Sequence, residues 1–209
     1  MTRLFLLLLL IAAASLNAAP QSGRKITPRP MQTPPVQPPL NPEPEPPAEA
    51  RPIMSAPAKL MFLPEDLRQR EIQMVNNGSF RFADFSDKVV VINLWASWCG
   101  PCRREIPEYE KVRKAYAGRG VEFIGLTTES PRTSSDRVNR FLRDVSFGFR
   151  LGWADRETAR TLMNGRGAIP QTLVIDVDGR VVNHWTGYSP GSSGDNLRQS
   201  IDQALGKGR

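Results

Sequence analysis

Cys99 and Cys102 are the only cysteines in a chain of 209 residues, and only Gly100 and Pro101 separate them, in Trp98-Cys99-Gly100-Pro101-Cys102. Two thiols that close together can form a disulfide, open it, and trade it with a disulfide elsewhere. The residues upstream make that exchange plausible. Val89-Val90-Val91-Ile92-Asn93-Leu94-Trp95 is a nearly continuous apolar run, as expected of a central strand buried on both faces. From Pro101 to Tyr116, Ile106, Tyr109, Val112 and Tyr116 recur at helical spacing, and Gly118 closes the segment. The cysteines therefore fall where a strand ends and a helix begins. A helix N-terminus offers unpaired N–H groups and the positive end of its dipole, which stabilise a thiolate. Cys99 is thus the expected low-pKa nucleophile, with Cys102 close by across the first turn. Pro101 falls near the first helical position, where a missing N–H costs nothing.

Other uses of the pair meet obstacles. A structural zinc site takes four Cys or His ligands, and the chain has one histidine, His184, far along the sequence. Attachment of a c-type haem needs His after the second Cys, where Arg103 stands. No metal or cofactor is therefore expected. A purely structural disulfide stays open as an alternative, although so small a loop constrains the unfolded chain little.

The remaining pattern supplies a scaffold. Residues 64–85 read as a short helix or turn and then a hairpin, with Ile72 to Val75 and Phe80 to Phe85 flanking Asn76-Asn77-Gly78. Val121 to Leu126 is a second apolar strand. Ser134 is a candidate cap for a helix carrying Val138, Phe141, Leu142 and Val145. Phe147 to Leu151 reads as a short strand, and Asp155 as the cap of a helix running through Leu162. Thr172 to Val177 and Arg180 to Trp185 alternate about an Asp178-Gly179 turn, and Leu197, Ile201 and Leu205 line one face of a last helix. Strands and helices in this order predict an α/β layer fold with a mixed sheet.

The N-terminal quarter is different. After Arg3, Leu4 to Ala14 is unbroken apolar sequence, followed by Ser15-Leu16-Asn17-Ala18-Ala19. That order fits a secretory signal cut near Ala18, or an uncleaved anchor if the whole of 1–19 stays. Residues 28–57 hold 12 of the 19 prolines. The segment 20–59 is expected to be an extended, disordered linker, with order beginning near Leu60. A ligand for a proline-binding module is the sharper alternative. The formal charge of +7 comes from scattered Lys and Arg with no basic run, which argues against nucleic acid.

Residues 60–209 resemble the TlpA/ResA-like family of extracytoplasmic thiol–disulfide oxidoreductases. The resemblance rests on Val89 to Cys102, on Cys102-Arg103-Arg104-Glu105-Ile106-Pro107, on Ala168-Ile169-Pro170, and on the export signal. It implies a thioredoxin fold, a central mixed β-sheet flanked by helices, with an N-terminal hairpin and a helix insertion. It implies a cis bond before Pro170, with Ile169 offering its backbone to the client chain. Trp98, Gly100 and Pro101 would complete the client-binding surface around Cys99. Thioredoxin carries a buried Asp where this chain has Asn93. Glu105, one turn past Cys102, is the family's alternative acid, and burial would suit it to take a proton from Cys102. Trp95 is expected in the core, and His184 in a structural or surface role.

The function implied is reduction of disulfides in client proteins, in the periplasm or a like extracytoplasmic compartment, with cytochrome c maturation as one use. A membrane thiol relay would supply electrons. The chain is expected to be a monomer, touching membrane only if residues 1–19 are retained. The Gly-Pro dipeptide resembles the reducing end of the scale, nearer thioredoxin's ~−270 mV than DsbA's ~−120 mV. An oxidase or isomerase on the same fold, and a redox-inert binding or chaperone module, are the rivals.

Overall fold

A computed structural model describes residues 60–207. The leader and the proline-rich tract lie outside the described residues. Helix α1 (Glu65–Gln69) precedes a small hairpin of β1 (Ile72–Gln73) and β2 (Ser79–Phe80). Asn77 and Gly78 both adopt positive φ, 70° and 82°, at its turn. The hairpin is shorter than its sequence suggests, because residues 82–85 are a 3-10 turn rather than strand. The Asp84 carboxylate accepts the Arg81 backbone N–H at 2.8 Å and closes that turn. Phe82 and Phe85, three residues apart, then both reach the core.

The main sheet holds five strands: β3 (Val89–Trp95), β4 (Val121–Thr127), β5 (Arg150–Trp153), β6 (Gln171–Ile175) and β7 (Val181–Thr186). Their order is β5-β4-β3-β6-β7. β3, β4 and β5 are parallel, while β6 and β7 run antiparallel to their neighbours. The sheet is therefore mixed, and β3 lies at its centre with every residue buried. Alternate residues of β3 serve opposite layers. Val90, Ile92 and Leu94 pack with α1, the hairpin and α4 (Arg156–Leu162). Val89 and Val91 pack against α2 (Gly100–Ala115) and α5 (Ser192–Lys207), through Tyr109, Val112, Leu197 and Ile201. Full burial of each such aliphatic side chain stabilises the fold by roughly 1.5–3 kcal/mol.

Between β4 and β6 the chain inserts α3 (Pro131–Asp144), β5 and α4. α3 begins one turn earlier than a Ser134 cap implies. Pro131 takes the first helical position and Ser130 the cap, with extended backbone (φ −89°, ψ 132°). Ser134 sits buried inside the helix, its hydroxyl accepting from Arg137 at 3.0 Å. β5 begins at Arg150, later than the apolar run starting at Phe147. Glu110 accepts the Gly148 N–H at 3.0 Å, and Phe147 stacks among Trp95, Phe141 and Phe149 before pairing begins. Asp155 caps α4 as expected, its carboxylate accepting the Thr158 N–H at 2.7 Å. Among the described residues, no helix is long and apolar enough to cross a membrane.

Candidate active site

β3 ends at Trp95, and Cys99 is the N-cap of α2. The Sγ of Cys99 accepts the backbone N–H of Cys102 at 3.2 Å. The two sulfurs are joined as a disulfide. Their environments differ. Cys99 keeps 4 % of its surface exposed and Cys102 none. Gly100 and Pro101 are exposed, and Trp98 stands out at 65 % exposure, while Trp95 is fully buried in the core. Cys99 and Cys102 share a cluster with Ala96, Ile106 and Val138, and the half-buried Ile169 packs against it. The Ile169–Pro170 bond is cis. The fold thus brings the Cys pair and the Ala168-Ile169-Pro170 loop to one place from positions about seventy residues apart.

Glu105 comes one helical turn after Cys102 and has no exposed surface. Asn93, from the middle of β3, donates its side-chain amide to the Glu105 carboxyl at 2.8 Å and to Thr172 Oγ1 at 3.2 Å. Loss of solvent pushes the Glu105 pKa up to about 7, and the polar groups of Asn93 and Tyr109 offset part of that rise. Thr172 and Trp185 hydrogen-bond to the Tyr109 hydroxyl at 3.3 and 3.2 Å. Burial also raises the Tyr109 pKa. The only charge-bearing group of this buried network that changes state near neutral pH is Glu105.

The sequence patterns did not point to two other contacts. Glu129, in the loop after β4, accepts the Ser97 backbone N–H at 2.6 Å and its hydroxyl at 2.9 Å, while Arg137 pairs with it at 3.2 Å. It pins the turn leading into Trp98 and Cys99. Gln171 and His184 meet at 2.8 Å beside the Pro170 loop. A lone acid after a strand and a glutamine after a proline carry no motif, so only the fold reveals them. A cleft of about 790 Å³ is lined by Glu129, Ile72, Pro131, Trp153 and Arg156, but neither cysteine lines it. Cys99, the less buried of the two cysteines, is flanked instead by the exposed Trp98, Gly100 and Pro101. That placement suits reaction with a protein-sized partner better than with a small enclosed molecule.

The sequence pattern of the Redoxin family matches residues 67–201. The chain belongs to the Redoxin family. Among curated proteins, this Redoxin chain is 30 % identical over 126 residues to the thiol-disulfide oxidoreductase ResA of Geobacillus thermodenitrificans, covering 60 % of this chain and 66 % of that one. It is 33 % identical over 110 residues to the thiol:disulfide interchange protein HelX of Rhodobacter capsulatus, covering 52 % and 58 % respectively. The chain thus spans two thirds or less of the length of these relatives. A solved thioredoxin-family thiol:disulfide interchange protein from Chlorobium tepidum superposes with a TM-score of 0.56 at 27 % identity, covering 65 % of this chain and 92 % of that one. The thioredoxin fold and the resemblance to ResA-like oxidoreductases therefore hold for the described domain.

Proposed function

We propose that this Redoxin protein is an extracytoplasmic thiol–disulfide oxidoreductase that reduces disulfides of client proteins. The observation that carries the reading is the asymmetry of the pair: Cys99 caps α2 with a little surface exposed, and Cys102 lies wholly buried beneath it. In the reduced protein the Cys102 N–H and the helix terminus stabilise a Cys99 thiolate. That thiolate attacks one sulfur of the client disulfide. A Cys99–client bond forms and the other client sulfur leaves as a thiolate. Glu105 then takes the Cys102 proton, and the Cys102 thiolate attacks Cys99 Sγ. The Cys99–Cys102 disulfide forms, and the client departs with both sulfurs reduced. Two electrons have passed from the pair to the client, and protons return to the client thiols.

Trp98, Gly100 and Pro101 offer an exposed surface beside the reacting sulfur. Among the described residues, neither the backbone N–H nor the C=O of Ile169 has a hydrogen-bond partner. Both are free to pair with an extended client segment. Electrons would come from a membrane thiol relay, and preparation of cytochrome c thiols is one use that the resemblance to the TlpA/ResA-like family implies. The apolar leader of residues 1–19 supports export, and the proline-rich tract that follows would act as a spacer. The reduction potential tests the direction of transfer. A value near thioredoxin's ~−270 mV supports a reductase, and one near DsbA's ~−120 mV would replace it with an oxidase.

A further inference from the structure

His184 is the chain's single histidine, and the exchange chemistry leaves it no task. Its surroundings supply one. The ring Nε2 lies 2.8 Å from Gln171 Oε1. Gln171 follows Pro170 directly and is fully buried. Its amide nitrogen donates to the Ala168 carbonyl at 2.7 Å and to the Arg166 carbonyl at 3.3 Å. Both amide protons are thereby committed to the loop. The oxygen must then be the acceptor toward His184, which fixes the amide's orientation and makes His184 Nε2 the donor. On the other side of the proline, the Gly187 N–H donates to the Pro170 carbonyl at 2.8 Å. The carbonyls of residues 166, 168 and 170 are all held from within the protein, and the backbone of Ile169 between them is left open.

We propose that Gln171, oriented by His184, is a positioning residue that sets the client-binding edge at Ile169 by holding the carbonyls of Arg166 and Ala168. The proposal rests on the reading that a client chain pairs with Ile169. An edge held in advance spares the client the entropy of ordering the loop, so its benefit appears in binding rather than in sulfur chemistry. Gln171 has a second duty as the first residue of β6, paired with Thr186 on β7. This ties the loop to the rigid sheet. The His184 side chain reaches Gln171 diagonally, since its own partner in register is Leu173.

The test follows single turnovers of the pre-reduced full chain with an excess of a synthetic extended peptide carrying an internal disulfide, KM and kcat standing for the half-saturating concentration and limiting rate of that one turnover. Oxidised glutathione, too short to pair along the edge, is the comparison. Gln171→Leu is expected to raise KM for the peptide about ten-fold while kcat stays within about two-fold. The change for glutathione is expected to be smaller. His184→Leu should shift KM in the same direction. His184→Gln should restore it, because glutamine carries its Nε2 donor the same number of bonds from the backbone. Hydrogen exchange of the Arg166 and Gly187 amides, which donate to the Met163 and Pro170 carbonyls on either side of the edge, gives a second readout that needs no activity. It should quicken in Gln171→Leu and His184→Leu, while amides of β3 keep their protection. Unchanged KM and unchanged exchange in folded Gln171→Leu would overturn the proposal. So would an equal KM penalty on glutathione. Failure of the wild-type protein to reduce the peptide, with hydrogen exchange still quickened in the variants, would instead contradict the functional reading and leave the clamp standing.

Discussion

Asn93 donates its side-chain amide to Glu105 at 2.8 Å in a place where neither residue has exposed surface. The remaining oxygens, Oδ1 of Asn93 and Oε1 of Glu105, have no hydrogen-bond partner among the described residues. A proton on the carboxyl provides a donor there, and an ionised carboxylate provides none. This agrees with a Glu105 pKa raised by burial from 4.5 to about 7. The acid can therefore take and return a proton near neutral pH, which an ordinary surface glutamate does poorly.

That raised value links directly to stability. Between about pH 4.5 and 7 the folded protein keeps a proton on Glu105 that the unfolded chain has lost. Folding stability therefore falls as pH rises through that window and levels off above it, by about 3 kcal/mol from this group. Glu105→Gln removes the slope. Urea unfolding of the oxidised protein should show the variant gaining on wild type from pH 4.5 to pH 8. Parallel curves would mean that Glu105 is not held as a buried acid. In the same variant, mixed disulfides should still form through Cys99, while their resolution by Cys102 slows about 100-fold. Stopped-flow turnover from pH 5 to 9 separates the two steps.

The reduced protein should be alkylated first at Cys99. Cys99 keeps a little exposed surface and its sulfur accepts a hydrogen bond from the helix terminus, while Cys102 has no exposed surface. Site-resolved mass spectrometry after brief iodoacetamide treatment near pH 7 is expected to find the label at Cys99. Faster labelling of Cys102 would reverse the assignment of nucleophile and resolving thiol.

Packing around the N-terminal hairpin is tight enough to test with one methyl group. A Cβ at Gly152 would lie 2.8 Å from Ile72 Cγ2, 3.0 Å from Leu126 Cδ2 and 3.2 Å from Phe80 Cε1. Gly152→Ala should cost roughly 1–3 kcal/mol, seen as a lower denaturant midpoint. An unchanged midpoint would show that the hairpin yields easily and does not brace β5.

The sequence made the reacting pair readable because its signals are local. The apolar run of β3, the helical spacing of Ile106, Tyr109 and Val112, and the cysteines between them lie within 24 consecutive residues. Glu105 is readable through the family resemblance, with its one-turn offset from Cys102 placing it on the same helix face. Asn93 was noted for what it lacks, a titrating group, while its role as the Glu105 partner needed the strand and helix to be packed together. Glu129 and Gln171 carry no sequence signal, and His184 reads only as structural or surface, for the same reason: each acts on a loop brought near by tertiary structure. Ser134 and the segment 80–85 misled because local propensity competed with Pro131 and with the Asp84–Arg81 contact.

In the proposed mechanism Cys99 attacks the client and Cys102 resolves the mixed disulfide. Reduced Cys102→Ser, mixed with a disulfide-containing protein client, tests this most directly. A stable one-to-one mixed disulfide is expected, mapped by mass spectrometry to Cys99, with none from Cys99→Ser under the same conditions. No adduct from Cys102→Ser, or equal trapping through Cys102 in Cys99→Ser, would contradict it.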